Sequence, residues 1–255
     1  MEKWRLLDLS YPTVFENLAL EEALYREATQ ESVRPTVRLW LNPPSAIVGR
    51  FQEVRSEVDT EFCRRNSIQI ARRFTGGGAV YHDEGNVNVS LIVPRWKGFS
   101  ISDLFKLNSS IVIGMLRGFG MDPVFDPPNS ILISGRKISG AAAAANRQVA
   151  LWHASILVLT DAATLEKVLS PGAQSTDTKY VRSARRPVTT LQQQVGNAAS
   201  IDSVKLQLTE SIEDLHRARM ERDELTAKEQ ALMLELTSRK YSSAEWNLSG
   251  RCSTL

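Results

Sequence analysis

Cysteine is scarce in this chain, whose 255 residues include only Cys63 and Cys252. The two lie far apart, and neither belongs to a CxxC pair or to a cysteine–histidine cluster. A structural zinc site and a disulfide framework both need several such residues at short, regular spacings, so neither is supported. We expect no protein-held metal ion, a buried apolar role for Cys63 and a frayed tail around Cys252.

Long apolar runs and a strong charge of one sign are also lacking. No segment reaches the ~20 apolar residues that a membrane span requires, and Met1 to Arg5 lead into no apolar stretch typical of a signal peptide. The formal net charge is only +2, whereas a nucleic-acid-binding domain is usually strongly basic. We therefore expect a cytoplasmic protein with no membrane or nucleic-acid partner.

The distribution of local patterns predicts one α+β unit over residues 1–255. Strand patterns dominate the first two thirds of the chain, and helical patterns dominate the last third from Asp161 onward. Residues from Ser170 to Asn197 have the composition of a mobile loop, and about 245–255 read as a flexible tail. His216 lies among charged residues on a helical stretch, where we expect it to be solvated.

The individual elements follow from periodicity and capping signals. Polar and apolar residues alternate over 86–93, which predicts a half-buried strand. The five alanines Ala141–Ala145 favour a helix by propensity. We predict instead that they form a strand and that Leu151–Leu159 return beside it as a second strand. Helices are predicted over residues 13–28, 58–66 and 100–119, further strands over residues 4–9, 36–41, 46–48 and 68–74, and a hairpin over residues 131–138 that turns at residues 134–135.

Three consecutive glycines, Gly76 to Gly78, follow the pair Arg72-Arg73 and precede Val80-Tyr81-His82-Asp83. Glycine backbone can approach a ligand closely, and successive free N–H groups in such a loop bind anions. The loop is neither a Walker A motif nor a GxGxxG fingerprint. Taken alone, it fits a phosphate or carboxylate site and a tight turn between strands equally well.

A second motif, Gly135-Arg136-Lys137-Ile138-Ser139-Gly140, places a lysine on a predicted hairpin. A lysine ammonium is a compact, movable charge suited to a phosphate or carboxylate, although most strand lysines are simply exposed. His153 lies in an apolar run, where a core role is the more common one. His82 beside Asp83 suits either a ligand contact or structural bracing across the loop.

Together the two motifs resemble the lipoate–protein ligase family, and the similarity covers nearly the whole chain. They occur in the family's order and separation, with His153 downstream. Supporting segments are Asn17-Leu18-Ala19-Leu20-Glu21, Ile47-Val48-Gly49-Arg50-Phe51-Gln52 and Lys240-Tyr241-Ser242-Ser243-Ala244-Glu245-Trp246-Asn247. The fold implied is a mixed central β-sheet with flanking helices, which biotin ligases share.

The resemblance implies ATP-dependent activation of lipoate to lipoyl-AMP, with Mg²⁺ on the pyrophosphate, and transfer of the lipoyl group to a lysine of an acceptor domain. Acceptors would be lipoyl domains of 2-oxoacid dehydrogenase complexes or the glycine cleavage H protein. Lys137 would be catalytic. The adenylate would contact Arg73, Gly78, Ala79, Val80, Tyr81, Asn86 and Lys137, and lipoate would contact Arg73, Thr75, Gly76, Gly77, His82, Lys137, Ala142 and His153.

The chain departs from many two-domain ligases of this family because little sequence follows Trp246-Asn247. This layout is similar to archaeal-type ligases, which implies a separate small accessory protein for the activation step. Two alternatives remain open. One is an octanoyl- or lipoyl-transferase that works without ATP, although neither cysteine lies in an acyl-transfer motif. The other is a non-catalytic subunit that only binds lipoate or nucleotide.

Overall fold

The computed structural model describes residues 1–28, 34–95, 98–170 and 179–251. The strands are β1 (Glu2–Asp8), β2 (Thr36–Trp40), β3 (Ser45–Val48), β4 (Gln69–Arg72), β5 (Val80–His82), β6 (Asn86–Pro94), β7 (Val124–Asp126), β8 (Ser130–Ile133), β9 (Arg136–Ala145), β10 (Val149–Leu157) and β11 (Ala218–Arg222). The α-helices are α1 (Val14–Glu27), α2 (Val54–Glu57), α3 (Thr60–Arg65), α4 (Ile101–Gly118), α5 (Ala162–Val168), α6 (Leu191–Val195), α7 (Ile201–His216), α8 (Ala227–Leu236) and α9 (Ala244–Ser249).

Eight of the described strands form one mixed sheet in the order β11-β1-β2-β6-β10-β9-β8-β7. Strand β1 runs parallel to β2 and β11, and the other neighbours are antiparallel. A small sheet has β3 in its centre, parallel to β4 and antiparallel to β5. The predicted fold class, an α+β fold with a mixed sheet and flanking helices, is confirmed.

Helices cover both faces of the large sheet. On one face α4 and α7 pack against apolar residues of β6 such as Val87, Val89 and Leu91. On the other face α1 and α8 pack against Ile92 and Leu151. A third apolar cluster joins the small sheet to α3 and α5. None of the helices in the described residues is long and apolar enough to cross a membrane.

Several local predictions are confirmed with their causes. Thr13 and Ser100 close capping boxes at the starts of α1 and α4. The alanine run forms part of β9 because it pairs residue by residue with β10, which outweighs its helix propensity. The hairpin between β8 and β9 turns at Ser134 and Gly135, both with positive φ (49° and 76°), as the twist of a two-residue hairpin requires.

The half-buried assignment of residues 86–93 is wrong. Strand β6 is buried on both faces along residues 86–93. Its polar face does not meet solvent but makes hydrogen bonds inside the protein: Asn88 donates to the Trp40 carbonyl, and the Ser90 hydroxyl donates to Glu21. The alternation therefore marks a polar interior wall beneath α1.

Three other expectations differ from the structure. The helix predicted over 58–66 begins only at Thr60, because Val58 is extended (φ −129°, ψ 134°) and Asp59 caps the N–H of Phe62. His216 is not solvated: its ring lies 4.5 Å from that of Trp4, and burial lowers its pKa to about 4. Strand β11 was not predicted, since its five residues carry little apolar pattern and pair with β1 from far along the chain.

The C-terminal residues and the expected mobile loop are described only in part. Residues 244–249 form α9, which buries Trp246 and Asn247 instead of fraying. Cys252 lies outside the described residues. So do residues 171–178 of the expected loop, while Lys179–Thr190 run without regular helix or strand before α6.

Candidate active site

The segment that carries the three glycines is fixed from below by Arg72, whose side chain is buried at 1% exposure. Its guanidinium donates to the carbonyls of Gly49 (3.0 Å) and Gln52 (2.8 Å), and to those of Trp246 (3.0 Å) and Leu248 (3.2 Å). Arginine offers five donors in a rigid fork, so one side chain can satisfy carbonyls from several segments. Arg72 thereby joins the base of the loop to α9.

Arg73 folds back over the glycine loop, which we define as residues 75–79. Its Nη2 donates to the carbonyls of Gly76 (2.6 Å) and Gly78 (2.7 Å), and its Nε donates to Thr75 Oγ1 (3.1 Å). Burial lowers the pKa of Arg73 to about 10, with the Glu21 charge acting in the opposite direction. The carbonyls of Gly76 and Gly78 therefore point toward Arg73. The N–H groups of the glycine loop are left for other partners.

Glycine is required at two places here. Gly77 has φ +89°, a conformation that side chains rarely adopt. At Gly49, an added Cβ would lie 2.2 Å from the carbonyl oxygen of Gly77. The glycine loop thus rests directly on the backbone of the β3 exit, where the Arg50 N–H also donates to the Thr75 carbonyl at 2.9 Å.

Two cavities meet beside this loop. The outer cavity, about 430 Å³, lies between β5, β9 and α5. The inner cavity, about 320 Å³, extends between the glycine loop, β9 and β10 toward α1. The residues that line both cavities are Ala79, Val80, Lys137, Gly140, Ser155, Ser183 and Ala184. Lys137 and the end of the glycine loop therefore converge on one junction, as the sequence motifs predicted.

Lys137 is held at the junction by its backbone. Its N–H donates to the Pro187 carbonyl at 2.8 Å, and its carbonyl accepts from the Thr189 N–H at 2.9 Å. Its ammonium lies over Gly140, where a Cβ would come within 2.7 Å of Nζ. Burial lowers the pKa of Lys137, and the positive charges of Arg186 and Arg73 lower it further against the opposing effect of Asp126. This cationic junction favours an anionic ligand.

A chain of hydrogen bonds connects three residues of the inner cavity, Arg73, His153 and Glu21, through Thr75 behind its wall. Arg73 donates to Thr75 Oγ1, Thr75 lies 3.1 Å from His153 Nε2, and His153 Nδ1 lies 2.8 Å from Glu21 Oε1. Glu21 is fully buried. Burial raises its pKa, but His153, Ser90 and Arg38 outweigh burial and hold the pKa below its ordinary value. The carboxylate is therefore ionised and accepts from His153 Nδ1.

His82 also lines the inner cavity and is 5% exposed. Its Nδ1 lies 3.0 Å from Asn42 Nδ2, and its Nε2 has no partner among the described residues, so the ring does not bond across the loop to Asp83. Burial, followed by the charges of Arg73 and His153, lowers the pKa of His82 to about 3, which keeps the ring neutral. Asp83 instead accepts from the N–H groups of Gly85 and Asp161, a bracing role.

A residue that sequence reasoning missed lies on the other side of the loop. Ser183 Oγ accepts from the N–H of Ala79 at 2.8 Å and from Gln52 Nε2 at 3.0 Å. The Ser183 N–H in turn donates to Glu57 at 3.2 Å. In this arrangement a hydroxyl occupies one of the loop donors that we predicted for the nucleotide. No sequence signal marks it, because residues 79 and 183 are brought together only by the fold.

The structure brings together most of the predicted site residues. Around the outer cavity lie Ala79, Val80, Tyr81 and Lys137. Around the inner cavity lie Arg73, Gly77, Gly78, Ala79, Val80, His82, Lys137, Ala142 and His153. Thr75, Gly76 and Asn86 line neither cavity: Thr75 supports His153, the Gly76 carbonyl accepts from Arg73, and Asn86 donates to Ser155.

Glu21 is a second residue at the site that sequence reasoning missed. A charged residue on the apolar face of α1, between Leu20 and Leu24, is a sequence signal that could have indicated a buried functional group. Among the described residues there is no group of three or more metal-ligating side chains.

Comparisons with known proteins agree with the fold. A family model for the lipoyl protein ligase A/B catalytic domain matches residues 13–213. Lipoate-protein ligase A subunit 1 of Thermoplasma acidophilum is 36% identical over 242 residues, which cover 91% of each chain. Octanoyltransferase LipM of Geobacillus kaustophilus is 29% identical over 274 residues, covering 96% of this chain and 98% of that one.

Solved structures are similar over the same extent. A bipartite lipoate protein ligase from Thermoplasma acidophilum, described with its E2 lipoyl domain, has a TM-score of 0.89 at 33% identity and covers both chains fully. A lipoate-protein ligase A bound with ATP has a TM-score of 0.85 at 34% identity, over 97% of this chain and 99% of that one. The chain belongs to the lipoyl protein ligase A/B catalytic-domain family, among the lipoate–protein ligases.

Proposed function

We propose that this protein is a lipoate–protein ligase that activates lipoate with ATP and transfers the lipoyl group to an acceptor lysine. The observation that carries the proposal is the meeting of two cavities at the Lys137 ammonium. The outer cavity suits a nucleotide and the inner cavity suits a narrow acyl chain. Similar solved structures are described with bound lipoic acid and with ATP, which supports both assignments.

The chemistry needs a cation at this junction. In the first half-reaction a carboxylate oxygen of lipoate attacks the α-phosphorus of ATP, and the bond from this phosphorus to the pyrophosphate oxygen breaks. Two anions must approach each other, so fixed positive charge and N–H donors lower the barrier. Lys137 supplies the charge, and N–H groups of residues 78–81 other than that of Ala79, which bonds to Ser183, supply donors for the phosphate.

In the second half-reaction the amine of the acceptor lysine attacks the acyl carbon. The bond from this carbon to the AMP oxygen breaks, AMP leaves, and the amine nitrogen loses a proton as the amide forms. Lys137 stabilises the negative charge that develops on the acyl oxygen and on the leaving phosphate. Mg²⁺ bound to ATP would supply positive charge that balances the departing pyrophosphate.

The same comparison supports an acceptor domain as a partner. We propose that the acceptors are lipoyl domains of 2-oxoacid dehydrogenase complexes or the glycine cleavage H protein. A relative with full coverage is described as bipartite and is accompanied by an E2 lipoyl domain. By analogy, a separate small protein assists the activation step, and this chain alone transfers from preformed lipoyl-AMP more readily than it adenylates lipoate.

The test measures the mass of a lipoyl domain after incubation with the chain, lipoate and Mg-ATP, with and without a candidate accessory protein, and follows pyrophosphate release in parallel. Preformed lipoyl-AMP replaces lipoate and ATP in a second reaction to isolate transfer. Lys137→Ala is expected to lower both half-reactions by about 10²- to 10³-fold. Lys106→Ala, an exposed lysine on α4, serves as the matched control. A folded Lys137→Ala protein with unchanged rates would refute the proposal.

A second candidate is ATP-independent acyl transfer, because octanoyltransferases are among the relatives. Such enzymes often use a cysteine nucleophile. Cys63 does not suit this role: it is fully buried, and burial raises the pKa of its thiol to about 11. Acceptor acylation from an octanoyl donor in the absence of ATP, with an acyl-enzyme detected by mass spectrometry, would favour this candidate over the ligase.

A further inference from the structure

Strand β10 places a hydroxyl group where the two cavities meet. Ser155 lines both cavities and is partly exposed, although β10 is a central strand between β6 and β9. Side chains two positions apart on a strand point to the same face. On this face His153 lines the inner cavity alone and Leu157 lines the outer cavity alone. Ser155 therefore stands at the boundary between the acyl side and the nucleotide side.

The strand register brings this hydroxyl close to the Lys137 ammonium. Ser155 is paired with Gly140 of β9, and the Cβ positions of directly paired residues are ~4.5–5.5 Å apart on one face of the sheet. A Cβ at Gly140 would lie 2.7 Å from Lys137 Nζ. Lys137 reaches this face because the pairing of β8 with β9 contains a β-bulge at Ile138, which turns the preceding side chain.

The buried amide of Asn86 decides where the Ser155 proton can go. The Asp83 N–H, which can only donate, bonds to Asn86 Oδ1 at 3.0 Å and so fixes the orientation of the amide. Asn86 Nδ2 therefore donates to Ser155 Oγ at 3.2 Å. A hydroxyl that accepts this bond keeps its own proton for another acceptor, and none of the described residues accepts it.

A ligand oxygen at the junction would complete this arrangement. The Lys137 ammonium carries only donors, so it cannot accept the Ser155 proton. The proposed acyl-adenylate has two kinds of oxygen here, those of the α-phosphate and the acyl oxygen. The phosphate already has Lys137 and N–H groups of the glycine loop as donors, whereas the acyl oxygen has Lys137 alone. The acyl oxygen is therefore the acceptor that still lacks a second donor.

We propose that the Ser155 hydroxyl donates a hydrogen bond to the acyl oxygen beside Lys137, and that Asn86 positions it. The inference rests on the proposed function of the junction. In the first half-reaction the bond holds the carboxylate oxygen that does not attack phosphorus. In the second, negative charge grows on this oxygen as the amine attacks the acyl carbon, so the bond strengthens in the transition state. The hydroxyl keeps its proton throughout. Ser155 is thus a catalytic residue and Asn86 a positioning residue.

Ser155→Ala removes the donor and leaves Lys137 in place. We expect kcat to fall about 10²-fold in pyrophosphate release and in transfer from preformed lipoyl-AMP, with KM for ATP unchanged. Ser155→Thr keeps the hydroxyl and is expected to retain most of both rates. Ser211→Ala on α7 is the matched control, because its hydroxyl donates to the Ile111 carbonyl at 2.8 Å and lines neither cavity. A Ser155→Ala protein with wild-type kcat in both half-reactions would overturn the proposal.

A stable ligand shows which oxygen the hydroxyl serves. In the ester of AMP with lipoyl alcohol, a methylene group replaces the acyl carbonyl and the phosphate is retained. Isothermal titration calorimetry should give wild-type protein and Ser155→Ala affinities for this ester within about twofold of each other, because the ester offers no acyl oxygen. Binding that is about tenfold or more weaker in Ser155→Ala would assign the hydroxyl to the nucleotide and overturn its role at the acyl oxygen.

Asn86→Asp tests the positioning role. A carboxylate can still accept from the Asp83 N–H, but it also accepts the Ser155 proton and so withdraws it from the junction. The variant should lower kcat as Ser155→Ala does, and the double variant should be no slower than Ser155→Ala alone. Additive losses would overturn the role of Asn86.

The comparison of Ser155 variants still decides the proposal if Asn86→Asp does not fold. Wild-type protein that neither activates lipoate with a candidate accessory protein nor transfers from lipoyl-AMP would end the proposed function, and this inference with it. An active wild-type protein with an equally active Ser155→Ala variant would contradict the inference alone.

Discussion

Gly49 lies outside both cavities, but its replacement by alanine should displace the glycine loop. The new Cβ would lie 2.2 Å from the Gly77 carbonyl oxygen and 3.1 Å from the Gly77 carbonyl carbon. A carbon–oxygen contact needs at least 3.0 Å, and the obstacle is backbone, which cannot rotate away as a side chain can. The loop must therefore move by about 1 Å, carrying the N–H groups of residues 78–79 with it.

The expected cost separates into activity and stability. A misplacement of about 1 Å at a catalytic group lowers rate by about 10²-fold, which corresponds to about 2.7 kcal/mol of transition-state stabilisation. Overpacking lowers the free energy of unfolding by about 1–3 kcal/mol. We thus expect Gly49→Ala to remain folded while kcat/KM for lipoyl-AMP formation falls about 100-fold.

The assay combines pyrophosphate release with thermal or urea unfolding. Ile212→Val on α7 is the control for stability. This buried residue packs on the face of the large sheet that α4 and α7 cover, away from the face that α1 covers, and the change lowers the free energy of unfolding by about 0.5–1.5 kcal/mol. It should leave kcat/KM unchanged. A folded Gly49→Ala protein with wild-type kcat/KM would show that the glycine loop does not position the nucleotide.

Three other predictions concern charge and hydrogen bonding. Arg186→Gln removes a positive charge that lowers the pKa of Lys137 and should move the alkaline limb of the kcat/KM profile to higher pH; an unmoved limb would contradict this. Ser183→Ala frees a loop donor and should lower KM for ATP by about 2- to 10-fold, and a raised KM would assign the hydroxyl to substrate binding. Burial raises the pKa of Glu229, but its contacts with Arg5 and Thr226 outweigh burial and lower the pKa in the folded state. The ionised Glu229 therefore stabilises the fold above its unfolded-state pKa, and this stabilisation is lost as the pH falls through its folded-state pKa. Urea unfolding between pH 3 and 7 should therefore show a flatter acid dependence for Glu229→Gln, and an unchanged slope would exclude this contribution.

Sequence predicted those elements whose causes are local. The capping boxes at Thr13 and Ser100 and the turn at Ser134-Gly135 depend on residues within a few positions of each other. The alanine strand was predicted only because a return strand, β10, followed closely enough to pair with it. Strand β11 depends on a partner near the start of the chain, and no local pattern announces it.

The site was predicted in part for the same reason. The two motifs contain the residues that converge at Lys137, so an anion-binding junction could be predicted once both motifs were considered together. Glu21 lies on α1 and Ser183 lies in the irregular segment 179–190. Only the tertiary fold brings them to the site. The alternation in β6 was read as a solvent-facing surface, since sequence does not distinguish water from a polar interior wall.

The buried guanidinium of Arg72 has a consequence for how this protein can be handled and how it can diverge. It bonds to α9 across 174 positions of sequence, and Trp246 Nε1 returns a bond of 2.8 Å to the Arg72 carbonyl. Trimming residues 244–251, or attaching a rigid fusion directly after Gly250, would disturb the reacting centre from outside it. Each of these bonds ends on a main-chain carbonyl, so loss of either side chain weakens the contact whatever residue stands at the other position.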